Sequence, residues 1–196
     1  YAGDEDKGTQ VRRMFDTIAG RYDMLNHMLS LGMDRSWRRK TVDSLRPFSP
    51  QRILDVASGT GDLALLMCRR LQPQQIVAAD LSEEMMAVGR RKAAEAGYAS
   101  LVSFEHQDCM TLTYSDHSFD AITVAFGVRN FADLERGLSE MERVLRPDGQ
   151  LRILELSTPK HFPMKQLYAL YSRTIIPLVG SWFSLEKSAY RYLPAS

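Results

Sequence analysis

The sequence predicts an α/β fold in which a mainly parallel sheet carries helices on both faces. Three observations lead there: short apolar runs recur with helical stretches between them, several runs lead into an acidic residue, and the first breaks into a glycine-rich loop. In Arg52–Asp62, RILDVASGTGD, the residues Ile53, Leu54 and Val56 form the strand, and Gly59 and Gly61 let the chain turn tightly beside a ligand. Leu63–Met67 begin a helix, whose N-terminus favours the negative end of a ligand.

The other elements follow in order. Before this unit, Met14, Phe15, Ile18, Tyr22, Leu25, Met28 and Leu29 recur at mostly helical spacing, so residues 1–49 read as a helical cap that either roofs a site or packs on the sheet. A second strand, Ile76–Ala79, ends in Asp80, and a third, Val102–Phe104, leads to Gln107-Asp108-Cys109. A fourth, Phe119–Ala125, is followed by FGVRN. The next helix is expected to stop at Arg143–Gly149, where proline and glycine follow basic residues, with a fifth strand over Leu151–Leu156. The whole is read as one domain, 1–196: cap at 1–49, ligand-binding core at 50–157, aromatic-rich segment at 158–196.

Two cofactor classes suit the loop. Gly59-Thr60-Gly61-Asp62-Leu63-Ala64 satisfies the loose pattern G-x-G-x-x-[GA], which leaves a nicotinamide-dependent oxidoreductase open. Asp80, at the second strand end, can accept hydrogen bonds from both ribose hydroxyls of a nucleoside, and Asp108 can meet an adenine amino group.

This order of acids and turns resembles the class I S-adenosylmethionine-dependent methyltransferases, with their Rossmann-like fold, over residues 50–157. Tyr22–Ser30 with Trp37, Phe126–Asn130 and Arg143–Gly149 resemble the ubiquinone and menaquinone biosynthesis C-methyltransferases, which extends the likeness to nearly the whole chain. Leu25 replaces a usual methionine, and Asp34 stands where histidine is often found. The resemblance implies S-adenosylmethionine as cofactor, with Asp55, Ala57, Gly59, Thr60, Gly61, Asp80, Leu81, Asp108, Cys109 and Ala125 as its binding residues. It also implies a further helix and two closing strands, so the last strands of the sheet are expected to be missing from this chain.

The implied acceptor is a polyprenylated hydroquinone methylated at a ring carbon, demethylmenaquinol ahead of a ubiquinone-precursor benzoquinol. A non-catalytic partner in a quinone-synthesis assembly is the third reading. Aromatic carbon is a weak nucleophile until a neighbouring hydroxyl ionises, so the chemistry calls for a cation beside the phenolate and for alignment with the methyl group. Arg129 and Asn130, just past the fourth strand, are the first candidates, with Tyr22 and His27 from the cap beside them. A salt bridge from Arg129 to Asp133 or Glu135 is the alternative. No metal is required.

Composition is consistent with this. A formal charge of +1 supplies no global drive toward nucleic acid, and the basic pairs on helices read as solvated faces. Cys68 and Cys109 make no disulfide framework and suit a reducing cytosol. No zinc spacing, signal peptide or membrane-spanning run appears, so a cytoplasmic protein is expected, with peripheral association at the inner face of the membrane as an extension. The segment Lys160–Leu193, with Trp182 and Phe183 beside Lys187, reads as a substrate lid, a homodimer contact, a membrane-surface element or an ordinary amphipathic helix pair.

Overall fold

The computed structural model describes residues 7–157 together with 162, 163, 166 and 173. Two compact units divide the chain, Tyr1–Glu155 and Leu156–Ser196. The readings made for Lys160–Leu193 fall almost wholly outside the described residues. In the first unit, helices α1 (Lys7–Ile18), α2 (Tyr22–Leu29) and α3 (Met33–Asp43) precede the sheet. There follow β1 (Arg52–Val56), α4 (Asp62–Leu71), β2 (Gln75–Asp80), α5 (Glu83–Glu95), β3 (Val102–His106), β4 (Phe119–Ala125), α6 (Leu134–Val144) and β5 (Leu145–Leu154).

The five strands form one sheet in the order β3-β2-β1-β4-β5, and every pairing is parallel. Chain direction across the sheet reverses at β1, so the crevice between β1 and β4 is where a ligand site belongs. Strand periodicity sorts the core into two layers. Ile53, Ile76, Ala78 and Phe104 pack with Leu63, Ala64, Met67 and Cys68 of α4 and Met86 of α5. Leu54, Val77, Ile122 and Val124 pack on the opposite face with Met141 and Val144 of α6. Ser82 and Asp133 cap α5 and α6, each accepting from the amide three residues on.

The fifth strand corrects one expectation. Helix α6 ends at Val144 and Leu145 is already extended, so Arg146-Pro147-Asp148-Gly149 lies in β5 instead of forming the helix stop. The stretch is absorbed as an irregularity: pairing with β4 shifts register between Phe119 and Ala121, and Asp148 takes a φ of +66°. The strand also finishes at Leu154, two residues earlier than expected.

One ring explains two glycines. A Cβ built on Gly89 of α5 lies 2.3 Å from the Phe104 ring, and one built on Gly61 lies 2.7 Å from it. Phe104 is therefore wedged between the loop after β1 and helix α5, with no room to yield to either side.

The sheet also buries a carboxyl. Asp55 of β1 stands opposite Thr123 of β4, whose hydroxyl donates to Oδ1 at 2.6 Å, while Oδ2 has no partner. Burial, offset in part by Thr123 and the charge of Arg38, pushes the Asp55 pKa from its ordinary 3.8 to about 7. Between those values the folded protein holds a proton that the unfolded chain has lost. This group's stabilising contribution is thus full below pH 4 and declines as pH rises toward 7. Urea midpoints should show it: the difference between the parent and Asp55→Asn should shift against the parent as pH rises from 5 to about 7.5, and a pH-independent difference would refute the buried proton. Gly89→Ala should cost about 1–3 kcal/mol despite alanine's better helix propensity, because the ring it meets is already confined. An unchanged melting temperature would mean that Phe104 has somewhere to go.

Candidate active site

A single pocket gathers the loops at the carboxyl ends of the strands, with about 840 Å³ of empty space that includes its open mouth. Val56, Ala57 and Gly59 come from the loop after β1, and Ala79, Asp80, Leu81, Ser82 and Met85 from the β2–α5 junction. Gln107, Asp108, Cys109, Met110 and Leu112 follow β3, and Ala125, Phe126, Gly127, Asn130, Phe131 and Ala132 follow β4. The cap closes the wall with Val11, Arg12 and Phe15 of α1 and Tyr22 of α2, Phe15 and Tyr22 meeting edge to face at 5.7 Å. The walls are mainly apolar, with a few polar groups among them, which suits an organic ligand.

Two close approaches shape the floor. Gly127 lies so near the first loop that an added Cβ would sit 2.6 Å from Cβ of Ala57. Ala57 itself has a φ of +52°, a strained value for a residue with a side chain. At the β2 end, the Asp80 carboxylate accepts from the Gly59 N–H at 2.8 Å and from the Ser82 N–H at 2.9 Å. Burial raises the Asp80 pKa, those amides oppose the rise, and the charge of Asp16 adds to it. Ser82 in turn donates its hydroxyl to Asp16 of α1 at 2.5 Å.

The cap is tied down by charge. Lys92 of α5 contacts Asp23 of α2 at 2.8 Å and Asp62 of α4 at 2.5 Å, and the Thr60 hydroxyl donates to Asp23 at 2.5 Å. Deeper in, Asp34 accepts from Arg38 and from Ser30 (2.7 Å), and its other contact is His27 Nδ1 at 2.8 Å. Burial works against the Asp34 carboxylate, but Ser30, His27 and Arg38 together hold its pKa below the ordinary value. Arg38 also lies 5.2 Å from the centre of the Phe126 ring, which fixes α3 against the loop after β4.

The residues singled out from sequence divide in two. Ala57, Gly59, Asp80, Leu81, Asp108, Cys109 and Ala125 line the pocket, as do Tyr22 and Asn130. Asp55, Thr60, Gly61, His27 and Arg129 are not among its lining residues. Asp55 shares the face of Ile53, one residue out of phase with Val56, and so turns toward α4 and Thr123. Thr60 is buried on Asp23, Gly61 is the left-handed residue before α4, and His27 is engaged with Asp34. The Arg129 guanidinium pairs with Glu155 at 3.4 Å, a partner other than Asp133 or Glu135. Tyr22 bonds to Asn26, and its pKa is raised by burial against the opposing charges of Arg38 and Arg129. Burial and the neighbouring Asp108 push the Cys109 thiol up to about 12, which leaves it no nucleophile at neutral pH.

Sequence reasoning passed over Ser82, Met85, Phe126, Arg12, Asp16 and the Asp23–Lys92 pair. Ser82 carried a legible signal, a serine ahead of Glu83 and Glu84 at a helix start. The Asp16–Ser82 and Asp23–Lys92 contacts span 66 and 69 positions and leave no local trace.

The pocket fits S-adenosylmethionine on its own geometry. The Gly59 backbone has a φ of +55° and lies under Met85 and Tyr22 with no side chain in the way. Asp80, using one lone pair per oxygen on amides, keeps acceptor capacity toward the pocket. The model of the ubiE/COQ5 methyltransferase family matches residues 4–196. The demethylmenaquinone methyltransferase of Bacteroides fragilis is 56% identical over 194 residues, 99% of this chain and 79% of its own length. The ubiquinone/menaquinone biosynthesis C-methyltransferase of Geobacter sulfurreducens is 46% identical, covering 97% of this chain and 75% of its own. A putative S-adenosylmethionine-dependent methyltransferase from Methanococcus maripaludis superposes with a TM-score of 0.65 at 18% identity, over 91% of this chain and 81% of that one, and bears on the fold alone. Matched from residue 4 to its last residue, the chain belongs to the ubiE/COQ5 methyltransferase family, which makes it an S-adenosylmethionine-dependent methyltransferase.

Proposed function

We propose that this chain methylates a ring carbon of a polyprenylated hydroquinone, demethylmenaquinol in preference to a benzoquinol. The observation that carries the reading is the composition of the pocket: it is lined by Asp80 with the loops around it and by the aromatic rings of Phe15, Tyr22, Phe126 and Phe131. The naphthoquinol preference follows the name of the Bacteroides fragilis relative. Family membership displaces the nicotinamide reading of the glycine loop.

The cofactor supplies an electrophilic sulfonium methyl. Asp80 would hold its ribose hydroxyls, Asp108 its adenine amino group, and the Ala57–Gly59 backbone its amino-acid end. Asp108 already accepts from the Met110 amide at 2.9 Å, which orients the carboxylate. On the acceptor side, the aromatic wall excludes water from a flat ring and the polar edge is Tyr22 with Asn130. Arg38 and Arg129 bring positive charge to the Tyr22 hydroxyl against the burial that raises its pKa, and those charges would favour the phenolate of a quinol hydroxyl bonded to it. Asn130 offers an amide donor to the resulting oxygen. Arg129, braced by Glu155, acts through this field and not by taking the ring proton, for which guanidinium is too weak a base. His27 serves by orienting Asp34 and thus the joint between α2 and α3.

The direct test is product mass analysis with S-adenosylmethionine and reduced short-chain acceptors. Demethylnaphthoquinol should gain one methylene unit, and a benzoquinol should react more slowly. Failure to methylate either would end the proposal. Asp80→Ala should weaken cofactor binding by about 2–4 kcal/mol, through lost charge-assisted hydrogen bonds and a freed Gly59 loop. Calorimetry giving parental affinity in the folded variant would remove Asp80 from the ribose. Arg129→Lys keeps the charge but not the planar fork, and Tyr22→Phe removes the hydroxyl; each should keep cofactor affinity and lose at least about tenfold in kcat. Arg129→Ala should lose more. Parental single-turnover rates in all three variants would return Tyr22 and Arg129 to packing and ion pairing.

A further inference from the structure

The joint between α2 and α3 holds an apolar face that the chemistry above does not use. Among the described residues, Met24, Met28, Leu31 and Met33 are exposed at 43%, 39%, 74% and 49%, four of nine large hydrophobic side chains so exposed, and these four fall close together in sequence. Met24 and Met28 are one helical turn apart on α2 and share a face. The Leu31 amide donates to the Met28 carbonyl at 3.1 Å, so the turn continues that face toward Met33. Leu31 has a φ of +52°, a conformation leucine rarely adopts, and its side chain is thrust outward.

Exposed charge within this segment has one sign. From residue 21 to residue 40 the exposed ionisable side chains are Arg21, Arg35, Arg39 and Lys40. Both acids of the segment are neutralised inward, Asp23 on Lys92 and Asp34 on Arg38. Exposed apolar side chains and exposed cations in one segment, with both of its acids ion-paired, match the interfacial zone of an anionic bilayer. A water-exposed protein partner of ordinary mixed charge would gain nothing from this segregation. Helix α2 also carries Tyr22 into the pocket, so one element reaches both the candidate site and the apolar face.

We infer that this face, Met24, Met28, Leu31 and Met33 together with the exposed Arg21, Arg35, Arg39 and Lys40 of the same segment, docks the protein on anionic lipid. The inference builds on the lipophilic acceptor proposed above, because a quinol with a polyprenyl tail resides in the bilayer. Insertion of the methionines and leucine sets the depth, and the arginines set the preference for negatively charged headgroups.

Co-sedimentation of the full chain with vesicles tests it. Binding should be strong on phosphatidylcholine vesicles containing roughly a third phosphatidylglycerol, weak on phosphatidylcholine alone, and reduced by salt. Met28→Ser with Leu31→Ser, and separately Arg35→Glu with Arg39→Glu, should each lower the vesicle partition at least tenfold while thermal melting stays parental. Both should methylate a short-chain soluble quinol at the parental rate and a vesicle-embedded long-chain quinol more slowly. Parental partition in both double variants overturns the inference. So does unchanged partition accompanied by a lower melting temperature, which makes the face one that this chain itself covers. Loss of a dimer by light scattering with partition unchanged overturns it in favour of a contact between copies. If no quinol is methylated by the parent while the partition pattern holds, the docking face stands and the acceptor reading falls.

Discussion

The site depends on one carboxylate. Asp80 reaches back across the sheet to the Gly59 amide and forward to the Ser82 amide, and so locks the loops after β1 and β2 to each other. Ser82, held in that position, caps α5 with its hydroxyl oxygen and donates a hydrogen bond to Asp16 of α1. Cofactor loop, helix start and roof thus hang on a single side chain. A buried acid is costly unless its oxygens are occupied, and here two backbone donors oppose, without cancelling, the rise in pKa that burial causes. Asp16 adds to the rise of the Asp80 pKa, and Asp80 in turn adds to that of Asp55.

The cap is held by a different logic. Lys92 and Arg38 bridge carboxylates from α2, α3 and α4 across distances at which desolvation consumes much of the Coulombic gain. Such a network adds less to stability than to position: it leaves few alternative ways for α2 to lie on the sheet, and α2 carries Tyr22. The Arg38 contact with Phe126 extends the constraint to the loop after β4. Tyr22 and Asn130, which face the proposed acceptor from two distant parts of the chain, therefore have their spacing fixed by ions on neither of them.

Much of this was legible in the residues. Apolar runs of the right length marked all five strands, and an acid at the end of β2 followed by a serine and two glutamates marked both a pocket-lining carboxylate and the start of α5. The misplaced features have specific causes. Asp55 resembles a cofactor acid by its position after Leu54, yet strict alternation puts it on the face of Ile53, away from Val56 and the pocket. Gly61 resembles a second ligand-facing glycine, but the constraint on it comes from Phe104, more than forty positions on. Arg-Pro-Asp-Gly has the composition of a helix stop, and tertiary pairing with β4 recruits it into a strand instead. The partner of Arg129 lies on the far side of α6 and β5, where no local pattern points to it.

The division of labour between core and cap follows from the chemistry. A cationic donor needs acids and backbone amides, which the strand ends supply, whereas a weakly nucleophilic aromatic carbon needs a dry wall and a field that favours its phenolate. These demands conflict if one cluster of side chains must meet both, because the acids that welcome the donor would oppose ionisation of the acceptor. The two sets come from different parts of the chain: Asp80 and Asp108 from the sheet and Tyr22 from the cap, where Arg38 and Arg129 oppose the rise in its pKa that burial and Asp80 cause. Each arginine is itself anchored by a carboxylate, Arg38 by Asp34 and Arg129 by Glu155, and so keeps its position while only part of its charge is offset. The helical cap, pinned by Lys92 and Arg38, adds Val11, Arg12, Phe15 and Tyr22 to the pocket that the strand ends form.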